Sequence, residues 1–239
     1  MARWAAVNGD EQKPQGVPNA SVPRWTAKDA WKCLGMFLVL LILLALMLAA
    51  FGPVPRSKPD LRWSQRPVGF LFVMSAQGLI CTLTALYFAR VESWADFRSA
   101  FCIGNRPGTK FWYGIGIALT LQACVSLLSW GQPQDVLLPQ WGFYAVAYLL
   151  APFWEEIVFR GFIFPAFRGS YNYPRSVFLM VVLTWLTHTT QALSVWYGLP
   201  FYAAFAVLQC WLRERSGSLW NCIASHFAFN AVHVASWHW

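Results

Sequence analysis

The sequence predicts an all-α fold, a polytopic integral membrane bundle of about seven transmembrane helices, with a site in the core of the C-terminal helices. Of the 239 residues, 57% are hydrophobic and only 12% are charged, against about 25% charged residues in a soluble domain. The apolar residues form long runs without charge, and a spanning helix needs about 20 such residues. Aromatic residues make up 18% of the chain and flank several runs, as at membrane interfaces.

The N-terminal half contains a polar tail and three predicted spans. Residues 1–30 are polar and rich in proline, so we predict a disordered cytoplasmic tail before a transmembrane domain at residues 31–239. No cleavable signal peptide is expected, and the first transmembrane helix would itself direct insertion. The predicted spans are residues 33–54, 68–89 and 111–130, with an interfacial connector at residues 90–110.

The C-terminal half contains four more predicted spans. They are residues 141–165, 177–188, 198–212 and 219–239. The run at 177–188 is short, and two interpretations are open: it enters only part of the bilayer before Gln191, or it continues through Val195. The first of these runs stays apolar beyond Glu155 and Glu156, through Phe159 and Phe162. The two carboxylates are therefore expected inside a helix at membrane depth, where ionisable groups are costly and usually functional.

Basic residues lie between the apolar runs, so the net charge of +8 reports membrane topology. The tail, the connector and the loops near Arg168 and Arg213 are basic, whereas the loops around Asp135 and Thr190 are not. Because short cytoplasmic loops carry excess Lys and Arg, we predict a cytoplasmic N-terminus in a plasma membrane, with a prokaryotic inner membrane favoured. A nucleic-acid partner is not predicted. The basic loop at residues 56–66 falls on the opposite side in a strict seven-helix count, which leaves one early helix open to reassignment.

The two adjacent carboxylates are expected to differ in their surroundings. Glu156 and Arg160 are four residues apart and share a helix face, so they can form an ion pair. A structural pair is favoured over a catalytic one, because buried charges must be paired. Glu155 lies about 100° around the helix and is left free to titrate.

Polar residues on two other predicted helices can join them. His226 and Asn230 are four residues apart in the last run, and His188 ends the fifth. Such a set can activate a water, stabilise an oxyanion or bind a metal. His233 and His238 are expected at the interface rather than in the site. The six cysteines are scattered without a C-x-x-C pair and no serine lies in a Gly-x-Ser-x-Gly turn, so a covalent mechanism is not expected.

These motifs form an ordered set. In chain order they are Glu155-Glu156-x-x-x-Arg160, His188, the segment 215–220 with the sequence Arg-Ser-Gly-Ser-Leu-Trp, and His226-x-x-x-Asn230. As a set they resemble the CPBP family, also called Abi, which comprises CAAX prenyl endopeptidases and bacterial proteins associated with bacteriocin processing and self-immunity. The resemblance covers residues 141–234. One position departs from it, because Thr184 stands where the family commonly has an aromatic residue four positions before its histidine.

The resemblance implies an intramembrane endopeptidase in which Glu155 is the general base on a water that attacks a peptide carbonyl. By the same resemblance, Glu156 belongs to the catalytic pair, His188 and His226 orient the water, and Asn230 donates to the oxyanion. The implied partners are the bilayer and a peptide or protein substrate, lipidated or membrane-embedded, and no cofactor is implied. The alternative is a zinc protease with the metal on Glu155, His188 and His226, ranked second because no His-Glu-x-x-His helix is present.

Three other classes compete with the protease. A transporter that relays protons would carry an internal repeat of broken helices, and the ionisable residues instead crowd into the last hundred positions. A haem carrier ligated by His188 and His226 leaves the carboxylate pair and Asn230 unexplained. A scaffold or immunity factor of the same family would keep the fold without needing catalysis.

Overall fold

The computed structural model describes residues 25–51, 67–103, 105, 108–128, 141–188 and 199–235. Every regular element in these residues is helical, which confirms the predicted all-α class. The helices are α1 (Ala27–Phe51), α2 (Pro67–Ala89), α3 (Trp94–Ala100), α4 (Lys110–Leu128), α5 (Trp141–Glu156), a π-helical segment (Ile157–Ile163), α6 (Phe164–Arg168), α7 (Tyr173–Thr187), α8 (Leu199–Ser216) and α9 (Leu219–Ala235).

Three of these helices are long and apolar enough to cross a membrane, judged by length and composition. They comprise Ala27–Leu48 of α1, Gly69–Ala89 of α2 and all of α4, and they mark an integral membrane protein. The outward side chains agree with this, since Leu38 on α1 is 62% exposed and belongs in hydrocarbon rather than water. Among the described residues, the later helices do not meet the same criteria, so the seven-span count stays a prediction.

Several sequence-based boundaries fall outside the described residues. These are most of the predicted polar tail and the loops around Arg56, Asp135 and Thr190. Helix α1 begins at Ala27, six residues before the predicted first span. The Thr26 backbone N–H donates to Asp29 Oδ2 at 2.9 Å, which satisfies a donor at this helix start.

The residue before α1 fastens that helix to the rest of the bundle. Trp25 is buried, and its Nε1 donates to the Ala89 carbonyl at the end of α2 at 3.3 Å. Its ring lies 5.0 Å from the Phe162 ring and 6.0 Å from the Phe101 ring, centroid to centroid. The residue before α1, the residue after α3 and the π-helical segment therefore share one aromatic cluster, which a hydrogen bond joins to the end of α2.

The helices that carry the predicted site pack around α9. This helix contacts α4 most extensively and also contacts α5, α8 and the π-helical segment, while α2 packs on α5 and α7 packs on α8. Several large apolar side chains in and around the π-helical segment are fully buried: Phe162, Ile163, Phe164, Phe167, Leu212 and Leu219. This apolar core holds the last turn of α5 against α9.

The fourth predicted span is a continuous helical rod from Trp141 to Arg168 with one irregular turn. The Phe164 N–H donates to the Phe159 carbonyl, five residues back, which is the π-helical pattern. The rod extends three residues beyond the predicted end at Pro165. Glu155 and Glu156 thus lie inside the rod, immediately before its π-helical segment, and such segments are frequent at functional sites.

Candidate active site

Glu155 and Glu156 form the last two positions of α5 and have different surroundings. The Glu156 side chain is 0% exposed, whereas the Glu155 side chain is 23% exposed. A step of about 100° around the helix turns one carboxylate into the protein core and the other towards accessible space. The spacing predicts different surroundings for the two carboxylates, and the structure shows this difference in burial.

Glu156 has two nitrogen partners on the same oxygen. Its Oε1 lies 3.3 Å from Arg160 Nη1 and 2.7 Å from His226 Nδ1. Two acceptors cannot share a hydrogen bond without a proton, so Nδ1 carries the proton when Glu156 is ionised and donates to the carboxylate. This assigns the tautomer of neutral His226, because its other ring nitrogen, Nε2, is then an acceptor.

Glu155 lies on the other side of the same imidazole. His226 Nε2 is 3.8 Å from Glu155 Oε2, too far for a direct hydrogen bond but close enough for one small molecule to contact both. Catalytic hydrogen bonds are often longer than usual before substrate binds. One histidine on α9 therefore contacts a buried carboxylate with one nitrogen and faces an accessible carboxylate with the other.

Asn230 lies one turn beyond His226 on α9 and also contacts α5. Its Nδ2 donates to the Tyr148 carbonyl at 2.7 Å, and the residue is buried. The two residues of the His226-x-x-x-Asn230 motif therefore face the same neighbouring helix. One of the two amide N–H groups of Asn230 is committed to the Tyr148 carbonyl.

The imidazole of His188 contacts its own helix end and α8. Its Nδ1 lies 2.9 Å from the Thr184 carbonyl and 3.1 Å from Thr187 Oγ1. Its ring stacks on Tyr202 of α8 with 5.8 Å between centroids. Within the described part of the chain, no hydrogen bond or ion pair joins His188 to the two glutamates.

Thr184, which stands where the family commonly has an aromatic residue, is bonded to its own helix. Thr184 is buried, and its Oγ1 donates to the Met180 carbonyl at 2.9 Å. Trp185 points elsewhere, with its Nε1 donating to the Leu199 carbonyl at 3.3 Å. The aromatic neighbour of His188 is therefore Tyr202, which comes from another helix.

The donors required by the zinc alternative do not assemble. Among the residues that the structure describes, no three His, Cys, Asp or Glu side chains lie close enough to hold a metal ion. His226 contacts both glutamates, while His188 contacts Thr184 and Tyr202. Glu155, His188 and His226 therefore do not form a ready ligand set.

The sequence also makes predictions for the two remaining histidines and the cysteines. His233 has its Nδ1 3.4 Å from Gln122 Nε2 and its ring 5.4 Å from the Tyr148 ring, and its interfacial position stays a prediction. His238 is not among the described residues. The six cysteines, all described, are unpaired.

One residue of this region was missed by the sequence reasoning. The charge pattern predicts Arg213 in a basic cytoplasmic loop, but the residue belongs to α8 and is only 4% exposed. Its Nε donates to the Arg160 carbonyl at 2.9 Å. One feature of the sequence could have indicated this contact. Pro165 has no N–H, so the rod that carries Arg160 lacks one backbone donor.

Comparison with known proteins identifies one family. Residues 137–232 match the family described as type II CAAX prenyl endopeptidase Rce1-like. None of the curated proteins or solved structures compared with the chain matches it. The match runs from the start of α5 into α9 and includes the two glutamates, His226 and Asn230. It confirms the resemblance that the ordered motifs carry.

Proposed function

We propose that residues 137–232, a domain of the Rce1-like type II CAAX prenyl endopeptidase family, hydrolyse peptide bonds by a glutamate-activated water. Membership of the family implies an intramembrane endopeptidase with a protein substrate at the membrane. The observation that supports the mechanism is the contrast between Glu156, buried and bonded to two nitrogens, and the partly exposed Glu155. Glu155 faces His226 Nε2 across 3.8 Å and is the carboxylate left to act as a base.

The proposed water lies between Glu155 and His226. With a proton on Nδ1, His226 Nε2 is an acceptor, so both partners accept a hydrogen bond from the same water. Both O–H bonds are then engaged and an oxygen lone pair is free for the substrate carbonyl carbon. Glu155 takes one proton as the C–O bond forms, and returns it to the nitrogen as the C–N bond breaks.

The remaining roles rest on the resemblance and on chemistry. Asn230 has a second amide N–H besides the one held by the Tyr148 carbonyl, and we assign it to the developing oxyanion. Glu156 and Arg160 keep the imidazole in the required tautomer. His188 stays in the proposal as a second group that orients the water, on the resemblance alone.

The proposal also includes the membrane topology, the location and the substrate. We propose about seven spanning helices, a cytoplasmic N-terminal tail and a plasma membrane location, with a prokaryotic inner membrane favoured. The substrate is a peptide or protein that is lipidated or embedded in the membrane. No metal takes part in the proposed steps, and a zinc-dependent enzyme that uses Glu155, His188 and His226 is the alternative.

The test is proteolysis of a quenched peptide panel, prenylated and unprenylated, by purified protein in lipid nanodiscs. The variants are Glu155→Gln and His226→Ala, with Glu92→Gln on the exposed connector as the matched carboxylate control. We expect the wild type and the control to cleave in the presence of a strong chelator. The Glu155→Gln protein should lose about 100- to 10,000-fold in kcat, the range for a general base.

Two results would contradict this proposal. Cleavage by Glu155→Gln at the wild-type rate would remove the residue from the mechanism. Cleavage that is abolished by chelation and restored by zinc would replace the proposed mechanism with the metal alternative. A folded wild type that cleaves no peptide while still conferring a cellular phenotype would favour the scaffold or immunity role.

A further inference from the structure

We propose that Arg213 is a positioning residue for this site. Its guanidinium supplies the donor that Pro165 cannot provide to the π-helical segment, and it joins that segment to the turn that precedes α9. In this way it keeps the two glutamates aligned with His226. The catalytic part of this inference rests on the proposed function, whereas its structural part can be tested independently.

The hydrogen bonds of the π-helical segment leave one carbonyl without a backbone donor. The Phe164 N–H donates to the Phe159 carbonyl, five residues back. In the same register, the Arg160 carbonyl would receive the N–H of residue 165. That residue is Pro165, which has no N–H. A buried carbonyl is costly to leave without a donor, so this position needs one from elsewhere.

Arg213 provides that donor from α8. Its Nε donates to the Arg160 carbonyl at 2.9 Å, and its Nη1 donates to the Gly217 carbonyl at 3.1 Å. The Gly217 carbonyl also accepts from Asn105 Nδ2 at 2.8 Å. One planar guanidinium therefore joins two backbone segments through two nitrogens in a fixed geometry, which the single, freely rotating ammonium of a lysine does not provide.

The surroundings of Arg213 indicate that it acts through hydrogen bonds to nearby backbone carbonyls. Among the described residues no carboxylate pairs with it, since the adjacent Glu214 pairs with Arg168 at 3.1 Å. A buried cation without a counter-ion is costly, so its backbone hydrogen bonds must account for its position. Arg215, two residues later, is exposed, as expected of a basic residue that only sets membrane topology.

The two joined segments carry the two sides of the site. The glutamates end α5 directly before the π-helical segment, and His226 lies two turns into α9 after Gly217. The contacts of His226 with Glu156 at 2.7 Å and Glu155 at 3.8 Å depend on how these elements are placed. A displacement of about 1 Å at a catalytic group can cost about 100-fold in rate.

The experiment compares Arg213→Met, Arg213→Lys and the double variant Arg213→Met/Pro165→Ala, with Arg215→Met as the charge-matched control. The double variant restores an N–H at residue 165 that can reach the Arg160 carbonyl. Two quantities are measured in nanodiscs: hydrogen–deuterium exchange of peptides covering residues 157–168, and kcat and KM on a cleaved peptide.

We expect Arg213→Met to exchange about tenfold faster in this segment and to lose about 10- to 100-fold in kcat, with KM within about threefold of wild type. Arg213→Lys should behave similarly, and Arg215→Met should match the wild type. Pro165→Ala should recover most of the slow exchange and of kcat in the Arg213→Met background. Should Arg213→Met alone fail to fold, the double variant is expected to fold.

The inference is overturned if Arg213→Met keeps wild-type exchange and kcat. It is also overturned if Pro165→Ala recovers neither exchange nor folding, or if Arg215→Met is equally impaired. A wild type without peptidase activity would contradict the proposed function, and the exchange measurement would still decide the role of Arg213.

Discussion

The replacement Glu156→Gln should separate the roles of the two adjacent carboxylates. It keeps the size and shape of the side chain and removes its charge. Arg160 is buried, and its Nη1 lies 3.3 Å from Glu156 Oε1. The amide oxygen of glutamine can still accept from His226 Nδ1, but the guanidinium loses the negative charge that compensates its burial. The variant therefore tests the charge itself rather than packing.

The expected loss of stability follows from the burial of both charged groups. Removing one partner of a buried ion pair costs about 3–5 kcal/mol in the free energy of unfolding, because the other charge is left uncompensated. At 1.4 kcal/mol per tenfold change, this is roughly two to nearly four orders of magnitude in the folding equilibrium. Glu155 is 23% exposed and 3.8 Å from His226 Nε2, so Glu155→Gln should cost at most about 1 kcal/mol.

The assay is reversible unfolding in mixed micelles, with the denaturing detergent as the titrant, and kcat is measured on the same samples. We expect Glu156→Gln to shift the unfolding midpoint strongly, and Glu155→Gln to unfold like the wild type but to lack activity. Glu214→Gln, which removes a half-buried carboxylate from Arg168, is the control for a less buried pair. Equal stability losses in Glu155→Gln and Glu156→Gln, or a loss below about 1 kcal/mol in Glu156→Gln, would refute the reasoning.

Two glycines provide further tests by thermal unfolding. A Cβ at Gly161 would collide with the ring of fully buried Phe101, so Gly161→Ala should lower the free energy of unfolding by about 1–3 kcal/mol. Adding Phe101→Leu should recover part of this loss, and an unchanged unfolding midpoint in Gly161→Ala would contradict this packing. Gly217 has φ +63°, and a Cβ there would meet Asn105 Nδ2 at 3.7 Å, an ordinary contact without a clash. Gly217→Ala should therefore lower the free energy of unfolding by about 1–2 kcal/mol through the backbone conformation, and Gly217→Asn by less; equal costs for both would argue against the left-handed conformation.

Much of the local arrangement of the site could be predicted from spacing. Residues four apart on a helix share a face, which anticipated the contact of Glu156 with Arg160 and the common orientation of His226 and Asn230. Spacing also separated Glu155 from Glu156. It could not say that His226 contacts both carboxylates, because that depends on the crossing of α5 and α9, which are 70 residues apart along the chain at this point.

His188 and Arg213 have neighbours that the sequence did not indicate. The resemblance groups His188 with the site, and in the structure its ring stacks on Tyr202 of α8, so its role stays a prediction. Arg213 was read as a loop charge, because hydropathy treats every arginine as a group that seeks water. Its burial depends on a carbonyl made available by a proline 48 positions earlier, in a different helix.

The sequence by itself determined the membrane class, the all-helical fold and the family of the domain at residues 137–232, because composition, apolar run length and ordered motifs are properties of the chain that need no partner. Only the tertiary structure decided which nitrogen of His226 faces each glutamate and where the rod changes to π-helical pairing. These depend on distances of a few ångströms between helices far apart in sequence. The packing around the π-helical segment sets those distances.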